Sequence, residues 1–318
     1  MSADKINNGG GEPPSPARPR RRGLLIMLAA ILLAAALAGH RFVPNVRGLG
    51  SLIDSGAPFL GLGVPLLALA ALLRRSRRAL VAVLLPALTW GALFGRAWLP
   101  ARADGPVELR VASQNLKAGN PDQAATLRTL VATDPDLIAL QEIAGGRGDA
   151  VGETLRGRYP HRAVESTVAL SSRWPIREYV GVDTGLEWTR ALRAIVAVPQ
   201  GDVVVYVVHL GSARAGRTAT RDHTVERLAT ALRRDGAKRI IVLGDLNTAT
   251  TDRVMSTLTD QLRDAQADAG RGFGFTWPSA LPVTRPDHVL YRGLTAVSAG
   301  VVRTPASDHR AVVAGFRR

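Results

Sequence analysis

The chain has 318 residues, enough for one or two domains. Its 41 Lys and Arg against 26 Asp and Glu give a formal net charge of +15, which points to anionic partners or to arginines that orient membrane segments. It has no cysteine, which excludes disulfides, thiolate nucleophiles and Cys-ligated zinc, and fits either side of a bacterial membrane.

Residues 1–22 are polar, with Gly9-Gly10-Gly11 and Pro13, Pro14, Pro16 and Pro19, a composition that cannot bury a core and predicts a disordered tail. The tail ends in Arg18, Arg20, Arg21 and Arg22, and 23–39 then runs without a charge. That run is either a signal peptide, with Ala36-Leu37-Ala38 as its small-residue cleavage site, or a membrane helix slightly short of the ~20 residues a span needs. Two more charge-free apolar runs, 57–73 and 79–95, flank the cluster Arg74-Arg75-Ser76-Arg77-Arg78, with Trp90 in the third run and Trp98 beyond it as interfacial anchors. Arginine clusters stay cytoplasmic, so three spans leave both clusters inside and everything after Trp98 outside. The loop 40–56, whose only charges are Arg41, Arg47 and Asp54, is then also expected outside. The competing reading, a soluble apolar helical domain, does not account for two arginine clusters in register with three such runs.

A linker over 100–106 leads to a region, 107–318, of alternating strand and helix patterns. Strands are expected at 107–113, 136–140 and 168–172, a helix at 122–133 and a short helix at 150–158. A hairpin is expected where 193–199 and 203–209 flank Gln200-Gly201-Asp202. An amphipathic helix follows at 218–234, a mostly helical stretch at 253–267, and strands at 287–291 and 311–314. Between those two helical stretches lies Ile240-Ile241-Val242-Leu243-Gly244-Asp245-Leu246-Asn247, a buried strand followed by a carboxylate and an amide two apart. In an extended segment these two side chains project to the same side. Taken alone they are as readily turn residues.

Polar residues recur at such strand ends: Asn115, Glu142, His209, Asp245 with Asn247, Asp287, and Asp308 with His309. A lone residue of this kind has a bland explanation, Glu142 as a solvated acid or His209 as a packed core histidine. Together they form an oxygen-rich set with two imidazoles and no thiol, which suits Mg²⁺ or Mn²⁺ and phosphate charge. His288 alternates away from Asp287 and reads as structural, while His40, His161 and His223 read as surface or packing residues.

The motifs Gln114-Asn115, Leu140-Gln141-Glu142, Val208-His209-Leu210, Gly244-Asp245-Leu246-Asn247, Pro286-Asp287-His288 and Ser307-Asp308-His309 resemble, in order, those of the endonuclease/exonuclease/phosphatase superfamily. Leu170-Ser171-Ser172-Arg173-Trp174-Pro175-Ile176 is similar to the segment before that family's central hairpin, whereas Pro286 stands where the family usually has an apolar residue. The resemblance implies a four-layer α/β sandwich, two packed mixed sheets flanked by helices, here preceded by three transmembrane helices. It implies metal-assisted phosphoester hydrolysis, with Glu142 as the main Mg²⁺ (or Mn²⁺) ligand supported by Asn115 and Asp308. Asp245 would orient or deprotonate the attacking water and Asn247 hold phosphate or water in line. His309, its tautomer set by Asp287, would contact the phosphoryl oxygens, and His209 would contact the phosphate or protonate the leaving oxygen. Arg190, with Arg193 as its competitor, would bind the substrate phosphate.

The three-span anchor joined to this domain resembles an actinobacterial membrane subgroup that includes the teicoplanin-resistance protein VanJ. That likeness implies a multi-pass protein of the bacterial cytoplasmic membrane, its catalytic domain extracytoplasmic, acting on a phosphorylated lipid such as a cell-wall polyprenyl intermediate. Two other classes stand beside it: a tethered nuclease, for which no basic-aromatic insertion is visible, and a non-catalytic binding protein, disfavoured because no matched position is substituted. Trp277 is either a cleft residue or a packing residue. No protein partner is inferable.

Overall fold

The computed structural model describes residues 23–99, 105–143, 150–213 and 217–318. The tail expected over 1–22 and most of the linker expected over 100–106 lie outside the described residues.

Three apolar stretches, Leu24–Phe42, Val46–Leu73 and Arg77–Trp98, are long and apolar enough to cross a membrane. The first carries α1 (Leu24–Gly39), the second α2 (Leu49–Gly56) and α3 (Gly63–Leu73), and the third α4 (Arg77–Phe94). A Cβ on Gly23 would lie 2.4 Å from the Ser76 hydroxyl, so the start of α1 sits at the same end of the bundle as the Arg74–Arg78 cluster. The segment 40–56, expected as an outer loop, is instead largely helical. The turns His40–Phe42 and Val46–Gly48 precede α2, and the 3₁₀ turn Ala57–Leu62 carries it into α3. The reason is tertiary. Asp54 is fully buried, accepting from His40 Nδ1 at 2.8 Å and Arg253 Nε at 2.7 Å, and Ser51 bonds Asp252. Partners some 200 residues away give no local signal.

The rest of the chain forms strands β1 (Leu109–Asn115), β2 (Leu137–Gln141), β3 (His161–Glu165), β4 (Val168–Ser172), β5 (Ile176–Gly181) and β6 (Ala191–Val198). It continues with β7 (Gly201–His209), β8 (Ile240–Asp245), β9 (Arg263–Asp264), β10 (Asp287–Arg292), β11 (Thr295–Val302) and β12 (Ala311–Arg317). Helices α5 (Gln123–Val131), α6 (Ala150–Leu155), α7 (Ala219–Arg234), α8 (Ser256–Thr259) and α9 (Ala265–Ala269) lie between them. The stretch 253–267 is therefore broken rather than mostly helical, because β9 interrupts it to pair with β10.

Two mixed six-stranded sheets result, ordered β11-β12-β1-β2-β4-β3 and β5-β6-β7-β8-β10-β9. Their inner faces meet through Val111, Leu137, Leu170, Val205, Val207, Ile241, Leu243 and Phe316. The alternate residues Val204, Tyr206, Val208, Ile240 and Val242 pack outward against Val225, Leu228 and Leu232 of α7, while Ile138 and Leu140 meet Leu127 and Leu130 of α5. Burial on both faces explains why the central strands read as unbroken apolar runs. The apolar N-terminal helices and turns meet this sandwich through aromatic rings: Phe273 stacks on Phe275 at 5.2 Å, Phe275 on Phe59 at 5.6 Å, and Trp98 meets Phe273 edge-on at 5.9 Å.

Candidate active site

Parallel pairing builds the site. β1 runs parallel to β2, and β7 to β8, so each pair delivers its C-terminal ends to one mouth of the sandwich. Register then sets the residues in rows: His209 faces Asp245 across β7 and β8, and Asp245 faces Asp287 across β8 and antiparallel β10. In the other sheet Asn115 ends β1 beside Gln141, with Glu142 just past it and His309 two residues before β12.

Contacts join the two sheets. Asn115 Nδ2 donates to Glu142 Oε1 and to Asp245 Oδ2, both at 3.0 Å, while its own oxygen accepts the Lys117 N–H at 2.9 Å. Asn115 thus ties the two carboxylates together and turns its oxygen away from them. Glu142, at φ 56°, also accepts the Ala118 N–H at 2.7 Å. Burial works against its charge, but the Asn115 amide and the Ala118 N–H outweigh that and hold its carboxyl below the usual range. Asp245 is pushed up to about 7, by burial first and by the negative Asp287 next.

The expectation that Asp245 and Asn247 project together from an extended segment is corrected: β8 stops at Asp245 and Asn247 is left-handed, φ 49°. The two meet through a turn in which the Asn247 N–H donates to Asp245 Oδ1 at 2.8 Å, and Asn247 Nδ2 donates to the Leu210 carbonyl at 3.0 Å.

His309 Nδ1 hydrogen-bonds Asp287 Oδ2 at 2.8 Å, leaving Nε2 3.9 Å from Asp245 Oδ2. Burial disfavours the imidazolium, yet Asp287 and then Asp245 prevail and lift His309 to about 9. His209 behaves oppositely. Burial and the charge of Arg190 push it down to about 4, so it is neutral at pH 7, its Nε2 3.7 Å from Glu142 Oε1. Arg190 is the arginine whose charge reaches Asp245 and Glu142, and its guanidinium lies 5.4 Å from the Trp188 ring. Arg193 instead pairs with Asp235 at 2.7 Å. Asp308 is adjacent to His309, with a buried Oδ1 that has no hydrogen-bond partner among the described residues. His288 lies where its alternation put it, bonded to the Thr248 carbonyl at 2.8 Å, and His40 is a buried packing residue on Asp54.

The donor set fits a hard divalent cation. Carboxylate oxygens of Glu142 and Asp245 converge without any thiol, and the buried Asp287 Oδ1 and Asp308 Oδ1 have no hydrogen-bond partner among the described residues. One ligand atom each from Asp245, Asp287 and His309 also lie within 4.8 Å of one another.

Supporting residues escaped the sequence. Thr276 donates to Asp287 Oδ2 at 2.6 Å, and Ser307 donates to the Asn115 carbonyl at 2.7 Å while accepting the His309 N–H at 3.0 Å. Ser307 lay inside a recognised motif, but nothing local marks Thr276. Also missed was the far side of the site. Glu142, His209, Asp245, Asn247 and His309 form the floor of a cavity of about 780 Å³ whose other walls include Trp277, Val283 and residues of 46–59 from the apolar N-terminal region. Trp277 is therefore a cleft residue.

A family model described as the endonuclease/exonuclease/phosphatase family matches residues 111–309. No curated protein matches the chain. Among solved structures, the chain is similar to an endonuclease/exonuclease/phosphatase family protein from Leptotrichia buccalis, with 16% identity, 66% of this chain and 100% of that one covered, and a TM-score of 0.54. It is similar to sphingomyelinase C from Streptomyces griseocarneus, with 19% identity, 66% and 99% covered, and a TM-score of 0.51. It is likewise similar to D. rerio TDP2 in complex with a single-strand DNA product, with 17% identity, 66% and 99% covered, and a TM-score of 0.55. At these identities the likeness speaks for the fold alone.

Proposed function

The chain belongs to the endonuclease/exonuclease/phosphatase family, and from that premise we propose that it is a membrane-anchored, Mg²⁺- or Mn²⁺-dependent phosphoester hydrolase acting on a lipid-linked phosphate or pyrophosphate at the outer face of the cytoplasmic membrane. The observation that carries this reading is one cavity holding both the Glu142–Asp245–His309 floor and a wall from the membrane anchor. A polyprenyl-linked cell-wall intermediate has the matching amphiphilic chemistry, and the subgroup resemblance points the same way.

Glu142 and Asp308 would hold the cation, with Asn115 fixing the Glu142 carboxylate. When bound, the cation supplies charge neutralisation at the phosphoryl oxygens and acidifies a water. Asp245, held near neutrality by its burial, takes the proton of the attacking water as its oxygen bonds to phosphorus. His309, protonated at pH 7, stabilises the phosphoryl charge and is the group able to return a proton as the bond to the leaving oxygen breaks. Asp287 holds its Nδ1–H, which keeps Nε2 on the cavity side. His209, neutral, serves the first of its two expected roles as a hydrogen-bond partner of the phosphate. Arg190 adds a cation near the same oxygens.

A tethered nuclease is the second reading, favoured by the +15 net charge and by the DNA product bound to the TDP2 neighbour. The test is hydrolysis by the full chain with Mg²⁺, offered polyprenyl pyrophosphate, phospholipids, nucleotides and plasmid DNA side by side. Lipid phosphate is expected to be cleaved, with His309→Ala lowering turnover at least a hundredfold, the scale of a lost acid–base group. DNA cleavage without lipid hydrolysis would reverse the ranking, and turnover retained by His309→Ala would remove its assigned role.

A further inference from the structure

The wall opposite the catalytic floor is not supplied by the β-sandwich. Val46, Arg47, Leu49, Leu52 and Phe59 come from the anchor, and within α2 Leu49, Leu52 and Gly56 line the cavity at a helical spacing of three or four residues. Leu52 is 69% exposed and Leu49 50% exposed. Their apolar surface looks into the same space as Glu142, His209 and Asp245. Trp277 and Val283 continue the apolar lining from the catalytic side.

This wall is fixed in place. Arg221, itself almost wholly buried, donates to the Ser51 hydroxyl at 2.6 Å and pairs with Asp252 at 2.9 Å. The same guanidinium reaches the Asn247 carbonyl at 3.4 Å, so the clasp on α2 also touches the turn that carries a floor residue. A tether needs no such registration, because a linker alone raises the local concentration of a membrane substrate. A water-soluble phosphoester would leave Leu49 and Leu52 facing solvent. A chain rising from the bilayer beside α3 would cover them, since α2 and α3 belong to the same membrane-crossing stretch.

We propose that the anchor is part of the substrate site: α2 and the turn after it hold the first methylenes of a lipid chain while its phosphate lies on the Glu142–Asp245–His309 floor. Leu49, Leu52 and Phe59 are then specificity-determining residues for a long-chain phosphoester. This assignment rests on the hydrolase reading above and deepens it, turning the membrane segment from a leash into a wall of the pocket.

The test uses the full chain in nanodiscs with Mg²⁺ and two chromogenic esters, dodecyl and methyl p-nitrophenyl phosphate. The dodecyl-to-methyl ratio of kcat/KM is expected to exceed one and to fall roughly tenfold in Leu52→Asn, the scale of one lost apolar side-chain contact. Leu52 is exposed, so this variant keeps the core intact. A ratio untouched by Leu52→Asn and by Leu49→Asn overturns the wall. A second readout needs no turnover: dodecyl phosphate bearing a diazirine at the phosphate end of its chain is photolysed with the protein and its adducts are mapped. Adducts at Leu49, Leu52 or Phe59 that unlabelled dodecyl phosphate removes and dodecanol does not are expected. Such adducts without cleavage of either ester would sustain the wall and sink the hydrolase. Cleavage of the methyl ester with adducts spread evenly over α1, α3 and α4 would do the reverse. Single-stranded DNA cleaved equally by wild type and Leu52→Asn, with no dodecyl preference, would overturn the lipid-chain assignment in favour of a nuclease.

Discussion

Asp245 is buried to 2% exposure at the centre of the floor, and the same burial that suits it to take a proton makes its charge costly. Its carboxyl stands at about 7 against an ordinary 3.8, through burial first and Asp287 second. Between those two values the native state holds more protons than the unfolded chain, so this group makes stability fall as pH rises from about 3.8 through about 7. Above pH 7 a cation bound as proposed would offset the penalty. Asp245→Asn removes the charge and the penalty together. In the presence of a chelator at pH 8 the variant is expected to unfold about 2–4 °C above wild type, the gap closing as the pH is lowered toward 4. It is also expected to hydrolyse nothing. Unfolding temperatures that coincide at both pH values would show that burial does not strain this carboxylate. Asp245 and Asn247 were both legible in the sequence, but for a mistaken reason. Strand alternation does not aim them; a left-handed Asn247 folds its N–H back onto Asp245. A turn of that kind and a continued strand share the same residue preferences, so local pattern does not separate them.

At the scale of elements, the floor depends on how closely β7 and β8 approach. Gly244 has φ 147°, and a Cβ built there would stand 2.0 Å from the Val208 carbonyl oxygen. That oxygen belongs to the residue before His209, and Gly244 pairs with Val208 in the register that sets His209 beside Asp245. Any side chain at 244 must push the two strands apart at the row that forms the site. Gly244→Ala is expected to cost about 2–3 kcal/mol, from overpacking and from a backbone angle that favours glycine. Activity should drop more than that loss of folded protein explains. Denaturant unfolding together with kcat on the folded fraction checks this, and a variant with normal kcat would show that the row tolerates a shift. The central strands were readable because burial on both faces leaves long Val, Ile and Leu runs, as in 203–208 and 240–243. The peripheral strands were not. β3 and β11 are half-exposed and β5 is almost wholly exposed, and their mixed residues, such as Arg177, Glu178 and Tyr179, are held by pairing with a neighbour rather than by an internal pattern.

For the molecule as a whole, charge and geometry divide along the bundle axis. The Arg74–Arg78 cluster lies with Gly23 at one end, and the catalytic sandwich is clasped at the other, through Asp54 with Arg253 and Ser51 with Asp252. Three stretches able to cross a membrane and a cluster that resists translocation support the orientation proposed above, in which the cavity lies at the outer surface. None of these clasps is legible in the sequence, since each joins the apolar helices to residues some 200 positions away and uses types common on any surface. The absence of cysteine makes the orientation directly measurable, because an introduced thiol has no background. Arg75 and Glu153 are both exposed and lie on the two sides the orientation assigns. In intact cells a membrane-impermeant maleimide is expected to label Glu153→Cys and to spare Arg75→Cys, which should react only after permeabilisation. Labelling of Arg75→Cys with protection of Glu153→Cys would place the floor in the cytoplasm. It would then meet the inner leaflet, and outer-face cell-wall intermediates would be removed as substrates while the wall formed by α2 would stand.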